Sequence, residues 1–103
     1  MGELILLYVT NPSKEEAERI ARQLLDRKLI ACANIFPITS IYRWEGRVAK
    51  ESEYVLLAKT VKEKLGQTEK EIKKVHPYKI PCIIKISAEA NKEYSDWVCG
   101  ETR

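Results

Sequence analysis

Two apolar runs, "LILLYVT" (4–10) and "EYVLLAKT" (53–60), do most to limit what this chain can fold into. Each has the length of one strand, the first apolar at nearly every position and the second apolar from Tyr54 to Ala58, so each reads as a strand buried on both faces. Each also leads directly into a helix-capping pattern, Ser13 with Glu16 and Thr60 with Glu63. Behind the first cap, Ala17, Ile20, Ala21, Leu24 and Leu25 fall on one face of a helix expected over 14–27. Behind the second, Val61, Leu65, Ile72 and Val75 mark a helix over 61–75, with Gly66 inside it at a cost of about 1 kcal/mol relative to alanine. His76 precedes Pro77, and a residue before proline is pushed out of helical conformation, so His76 ends this helix.

The remaining segments complete the pattern. "LIACANIFPITSIYRWEG" (29–46) is β-rich but carries Pro37, which suits an edge strand with a bulge or break at the proline and a tip near Glu45-Gly46. "CIIKIS" (82–87) is a further strand, and Asn91 caps a short last helix with Tyr94, Trp97 and Val98 on one face. The order β-α-β-β-α-β-α predicts a single α+β domain over 1–103. This is a ferredoxin-like βαββαβ sandwich with an antiparallel sheet in the order 4-1-3-2 and a short C-terminal helix. The two apolar strands take the centre, and the two with proline at or near them take the edges. The second strand is overlong for a lone sheet. An apolar edge without inward charge is an aggregation hazard, so a second subunit is expected to cover it by strand pairing.

The chain has 103 residues, 32% of them charged, with a formal net charge of +3. It has no long block of like charge, which argues against a nucleic-acid partner. The charges are placed for helical pairs at Glu15–Arg19, Glu18–Arg22 and Glu69–Lys73. Three cysteines without a CxxC spacing argue against a disulfide framework. The N-terminal apolar run lacks a basic flank and is too short for a signal peptide or a membrane span. Reduced thiols and a cytoplasmic location are expected.

The single histidine lies in "HPYKIPC", six residues before Cys82. In the predicted sheet, Thr10, His76, Cys82 and the Trp44-Glu45-Gly46 tip share one end. Imidazole and thiolate suit copper or zinc, so His76 and Cys82 form the candidate metal pair. The alternative makes His76 a helix terminator and Cys82 a small buried hydrophobe. Cys32 reads as a core cysteine on the second strand. Tyr42 and Trp44 alternate on one strand face and suit a subunit interface, or a pocket between subunits with Glu45, Lys59 and Tyr78. The chain has no GxSxG, HExxH or P-loop, and no enzymatic activity is expected.

"KLIACANIFPITSIYRWEGRV", "LLAKT", "VHPYKIPCII" and "YSDWV" together resemble, in order and spacing, the signature segments of the CutA family, the divalent-cation tolerance proteins. The resemblance covers almost the whole chain. It implies a ferredoxin-like fold assembled as a homotrimer through edge strands, a link to metal-ion tolerance, and copper binding. The copper ligands proposed in relatives map here to Val9, Val75 and His76, so only His76 keeps a donor atom. Two functional classes follow: a metal-linked trimeric binding protein, and a trimer resembling the PII signalling proteins, with Lys59 and Lys79 available for a small anionic ligand. An RNA-binding sandwich is disfavoured, because "EYVLLAKT" carries no aromatic-and-basic motif.

Overall fold

The computed structural model of the chain describes residues 2–103. Its elements are β1 (Gly2–Asn11), α1 (Lys14–Asp26), β2 (Cys32–Trp44), β3 (Arg47–Thr60), a 3-10 turn (Lys62–Lys64), α2 (Leu65–Val75), β4 (Ile83–Ala90) and α3 (Lys92–Glu101). The four strands form one antiparallel sheet in the order β2-β3-β1-β4. This is the order expected, read from the other edge.

Alternate residues of a strand face opposite sides of the sheet. On one side Leu7, Val9, Leu56 and Ala58 pack with Ile20 and Leu24 of α1 and Ile72 of α2. On the other side Leu4 packs with Ala31 and with Val98 of α3. Gly2 lies so close to Ser95 that a Cβ there would overlap the serine hydroxyl, which leaves glycine as the residue that lets β1 approach α3.

α3 covers only one end of this second face. Beyond it the strand register places Leu6, Tyr8, Phe36, Leu57, Ile84 and Ile86 side by side. Ile84 is 50% exposed and Ile86 41%. Contiguous exposed apolar patches mark interaction sites, ligand grooves or aggregation liabilities.

Helix termini follow side-chain chemistry in part. The Ser13 side chain accepts from the Glu16 amide at 3.1 Å, as the capping pattern predicts. The second pattern fails. Thr60 is fully buried and its hydroxyl donates to the Leu29 carbonyl at 2.6 Å, tying the sheet to the α1–β2 connection. Val61 then opens a 3-10 turn without a side-chain cap, and α2 begins only at Leu65. Arg19 bonds Glu16, three residues away, at 2.8 Å rather than Glu15, and also donates to the Val75 carbonyl at the end of α2. The Glu69–Lys73 pair forms at 3.1 Å as spaced.

The long β2 departs from expectation in two ways. Pro37 causes no break: the register runs unbroken from Cys32↔Lys59 to Trp44↔Arg47, with Pro37 opposite Tyr54. An edge strand has a free side toward which the missing N–H does no harm. Nor is the strand unpaired within the chain, because β3 starts at Arg47 rather than near residue 53 and matches β2 along its whole length. β1 pairs only with residues 54–60 of β3. The distal part of the β2–β3 hairpin is therefore a two-stranded arm projecting past the sheet, a form that is marginal in water by itself.

The arm turns through Glu45 (φ 49°) and Gly46 (φ 77°). Two positive φ values make the two-residue turn that matches strand twist, and asparagine is the favoured first residue. Glu45→Asn is expected to raise stability by about 0.5–1 kcal/mol, because asparagine tolerates the left-handed region better than glutamate. A melting temperature unchanged or lowered would contradict this.

Candidate functional site

Where the arm leaves the sheet, residues of β1, β2, β3 and the 77–82 segment enclose a groove of about 890 Å³. Its lining includes Tyr8, Thr10, Tyr42, Trp44, Glu51, Glu53, Tyr78, Lys79 and Cys82. The hairpin register explains much of this set. Ser40↔Glu51 and Ile38↔Glu53 place both carboxylates on the face that also carries Tyr42 and Trp44.

Two tyrosine–glutamate pairs organise the groove. The Tyr42 hydroxyl donates to Glu51 across the arm. The Tyr78 hydroxyl donates to Glu53 Oε2 at 2.6 Å, tying the 77–82 segment to β3. Hydrogen bonding to Glu51 raises the Tyr42 pKa above its ordinary value. Burial, reinforced by the bond to Glu53, drives that of Tyr78 higher still. Both phenols therefore stay protonated and act as donors.

His76 terminates α2 with extended backbone (φ −74°, ψ 139°), as its place before Pro77 predicts. It is 8% exposed. Nδ1 accepts from the Tyr78 amide at 3.0 Å, which puts the proton on Nε2, and Nε2 donates to the Thr10 carbonyl at 2.8 Å. Burial lowers the histidine pKa below its ordinary value, against the opposing pull of the Thr10 bond and the nearby Glu16 and Glu53 carboxylates. The imidazole thus links the end of β1 to the 77–82 segment, and both ring nitrogens are engaged.

The candidate metal pair is therefore divided. Cys82 is half-buried and lines the groove, whereas His76 sits behind it with no free lone pair in this conformation. Among the described residues no group of three or more His, Cys, Asp or Glu side chains is placed to hold a metal ion.

The residues grouped as an interface or inter-subunit pocket also separate within the chain. Tyr42, Trp44 and Tyr78 line the groove. Glu45 lies in the turn at the arm tip. Lys59 and Cys32 lie at the α3 end of the sheet: Lys59 Nζ is 5.4 Å from the Tyr94 ring centroid, and Cys32 Sγ is 3.4 Å from the Tyr94 hydroxyl. Cys32 is half-buried beneath α3 rather than part of the central core. Glu51, Glu53 and the Thr10 carbonyl were not singled out as a group from sequence. The signal for the two glutamates was present in "ESEY", whose alternation matches Tyr42 and Trp44 once the turn is fixed at Glu45-Gly46.

Residues 5–101 match the family model described as CutA1 divalent ion tolerance protein. The divalent-cation tolerance protein CutA of Archaeoglobus fulgidus is 47% identical over 93 residues, covering 89% of this chain and 91% of its own. That of Thermus thermophilus is 43% identical, covering 99% of both. A solved structure of the A. fulgidus protein, described as periplasmic, superposes with a TM-score of 0.94 at 44% identity over 97% of this chain and 99% of that one. The apo form of a PII-like protein CutA from Nostoc sp. PCC 7120 superposes with a TM-score of 0.90 at 34% identity over 96% and 97%. Fold, strand order and nearly full-length identity agree: this chain belongs to the CutA family of divalent-cation tolerance proteins.

Proposed function

We propose that this chain works in the cytoplasm as a non-catalytic homotrimer in divalent-cation tolerance, contacting copper weakly through His76 and Cys82. The observation that carries the assembly is the bare apolar sheet face, Leu6, Tyr8, Phe36, Leu57, Ile84 and Ile86, next to a projecting two-stranded arm. Copies of the chain packing these faces together, with arms reaching across, would bury the face and pair the free edge of the arm, leaving the groove at its base open. Three cysteines without a CxxC spacing are the sequence support for the compartment.

Copper contact is expected to be weak for a stated reason. A metal must displace the Tyr78 amide from Nδ1 or the Thr10 carbonyl from Nε2, so it gives back one hydrogen bond for each coordinate bond it gains. The test is calorimetric titration of the metal-free protein with Cu(II). His76→Ala and Cys82→Ala are each expected to lower the affinity by about tenfold or more, with the assembly retained. Unchanged copper binding in His76→Ala would remove the histidine from the metal reading.

A second reading, a small-ligand protein of the PII-like kind, is favoured by the groove itself and by the structural match to the PII-like relative. The expectation of an anionic ligand fits poorly here. Among the described residues Lys79 is the only cationic side chain on the groove lining, against Glu51 and Glu53, and Lys59 lies elsewhere.

A further inference from the structure

We infer that the groove between the arm and the 77–82 segment binds an organic cation, an alkylammonium carrying an apolar body. The inference rests on the small-ligand reading of this site and replaces its anion.

Charge comes first. The chain as a whole is formally +3, yet the titratable groups lining this concavity with a formal charge are Glu51, Glu53 and Lys79. Its sign is thus opposite to that of the molecule. Neither glutamate has an ion-pair partner among the described residues. Glu53 is only 7% exposed, so it is a carboxylate held largely away from water without a countercharge. Such a group is stabilised by any cation that reaches it.

Geometry comes second. Tyr78 occupies Glu53 Oε2 and Tyr42 occupies Glu51 Oε1, while the other oxygen of each carboxylate makes no hydrogen bond among the described residues. Both phenols are donors, so the tyrosines hold the carboxylates in place and leave acceptor sites for N–H groups. The rings of Tyr8, Tyr42, Trp44 and Tyr78 line the same space. Aromatic faces attract ammonium groups and pack against apolar ones.

Size comes third. A groove of about 890 Å³ far exceeds the room a bare ion needs, and Ile38, Ile41, Ala49, Pro77 and Ile80 give it apolar walls between its polar groups. A small organic molecule fits this combination of apolar wall and few convergent polar groups better than a metal does.

The test is calorimetry on the assembled protein at neutral pH with phenethylammonium chloride, set against uncharged phenethyl alcohol. The ammonium is expected to bind saturably and about tenfold or more tighter than the alcohol. Glu51→Gln, at an exposed position, is expected to remove most of that preference. Glu53→Gln keeps an acceptor for Tyr78 and should do the same. The alcohol's binding should change little in either variant. Equal binding of cation and alcohol overturns the inference, as does full cation binding in Glu51→Gln. No saturable binding of the cation also overturns it, and no binding of the alcohol either removes the small-ligand reading with it. Each of these failures leaves the copper titration and the mass of the assembly untouched, so the metal and assembly readings stand or fall separately.

Discussion

Ile84→Glu is expected to abolish assembly and to leave a chain that is largely unfolded at micromolar concentration. Ile84 lies opposite Tyr8 on the bare sheet face and is half exposed in the single chain. A glutamate there is harmless to a monomer, because it would sit in water. In an assembly that closes this face it buries an uncompensated charge, at a cost of about 3–5 kcal/mol per copy. Folding and association are linked by mass action, so losing the partner also removes the stability the partner supplies. Far-ultraviolet circular dichroism and sedimentation velocity of the variant measure both. A variant as folded and as large as the unmodified protein would show that this face is solvent-exposed in the working molecule.

His76→Phe has the second large effect expected, and it is a stability effect in the metal-free protein. The ring volume is nearly kept, but the Thr10 carbonyl and the Tyr78 amide both lose a buried partner. Each orphaned group costs about 1–3 kcal/mol, so a loss of about 2–6 kcal/mol follows. A pH signature accompanies it. Burial holds the folded pKa of His76 below its ordinary value of 6.5. As pH falls through that value the unfolded chain takes up a proton before the folded one does, so stability declines. The contribution is complete above about pH 6.5 and is lost progressively below it, down to the lowered folded pKa. In His76→Phe this segment of the pH–stability curve should flatten. An equal slope in the variant would assign the pH dependence to another group. Proton competition for copper likewise sets in at lower pH than an ordinary histidine would give, and the two hydrogen bonds weigh more heavily against the metal.

Much of the fold was legible because the signals were local. Apolar runs at 4–10 and 53–60 marked the central strands, Ser13 the start of α1, and the His76-Pro77 pair the end of α2. Where tertiary contact overrode a local preference, reading failed. Thr60 looked like a cap but is drawn to the Leu29 carbonyl. β3 begins six residues early because "RVAKES" is polar and shows strand character only through pairing with β2. The site was less legible for the same reason. His76 and Cys82 stand close in sequence, but a chain turn sends one ring inward to Thr10 and leaves the other side chain in the groove. Glu51 and Glu53 gain meaning only opposite Tyr42 and Tyr78, partners nine and twenty-five residues away.

The claim on which the rest depends is that the bare sheet face and the free edge of the arm are interior surfaces of a three-chain assembly. Sedimentation equilibrium of the unmodified, metal-free protein across a micromolar range tests it most directly. The account predicts a single species with the mass of three chains at every concentration, and no folded single chain. A folded species with the mass of one chain would contradict it.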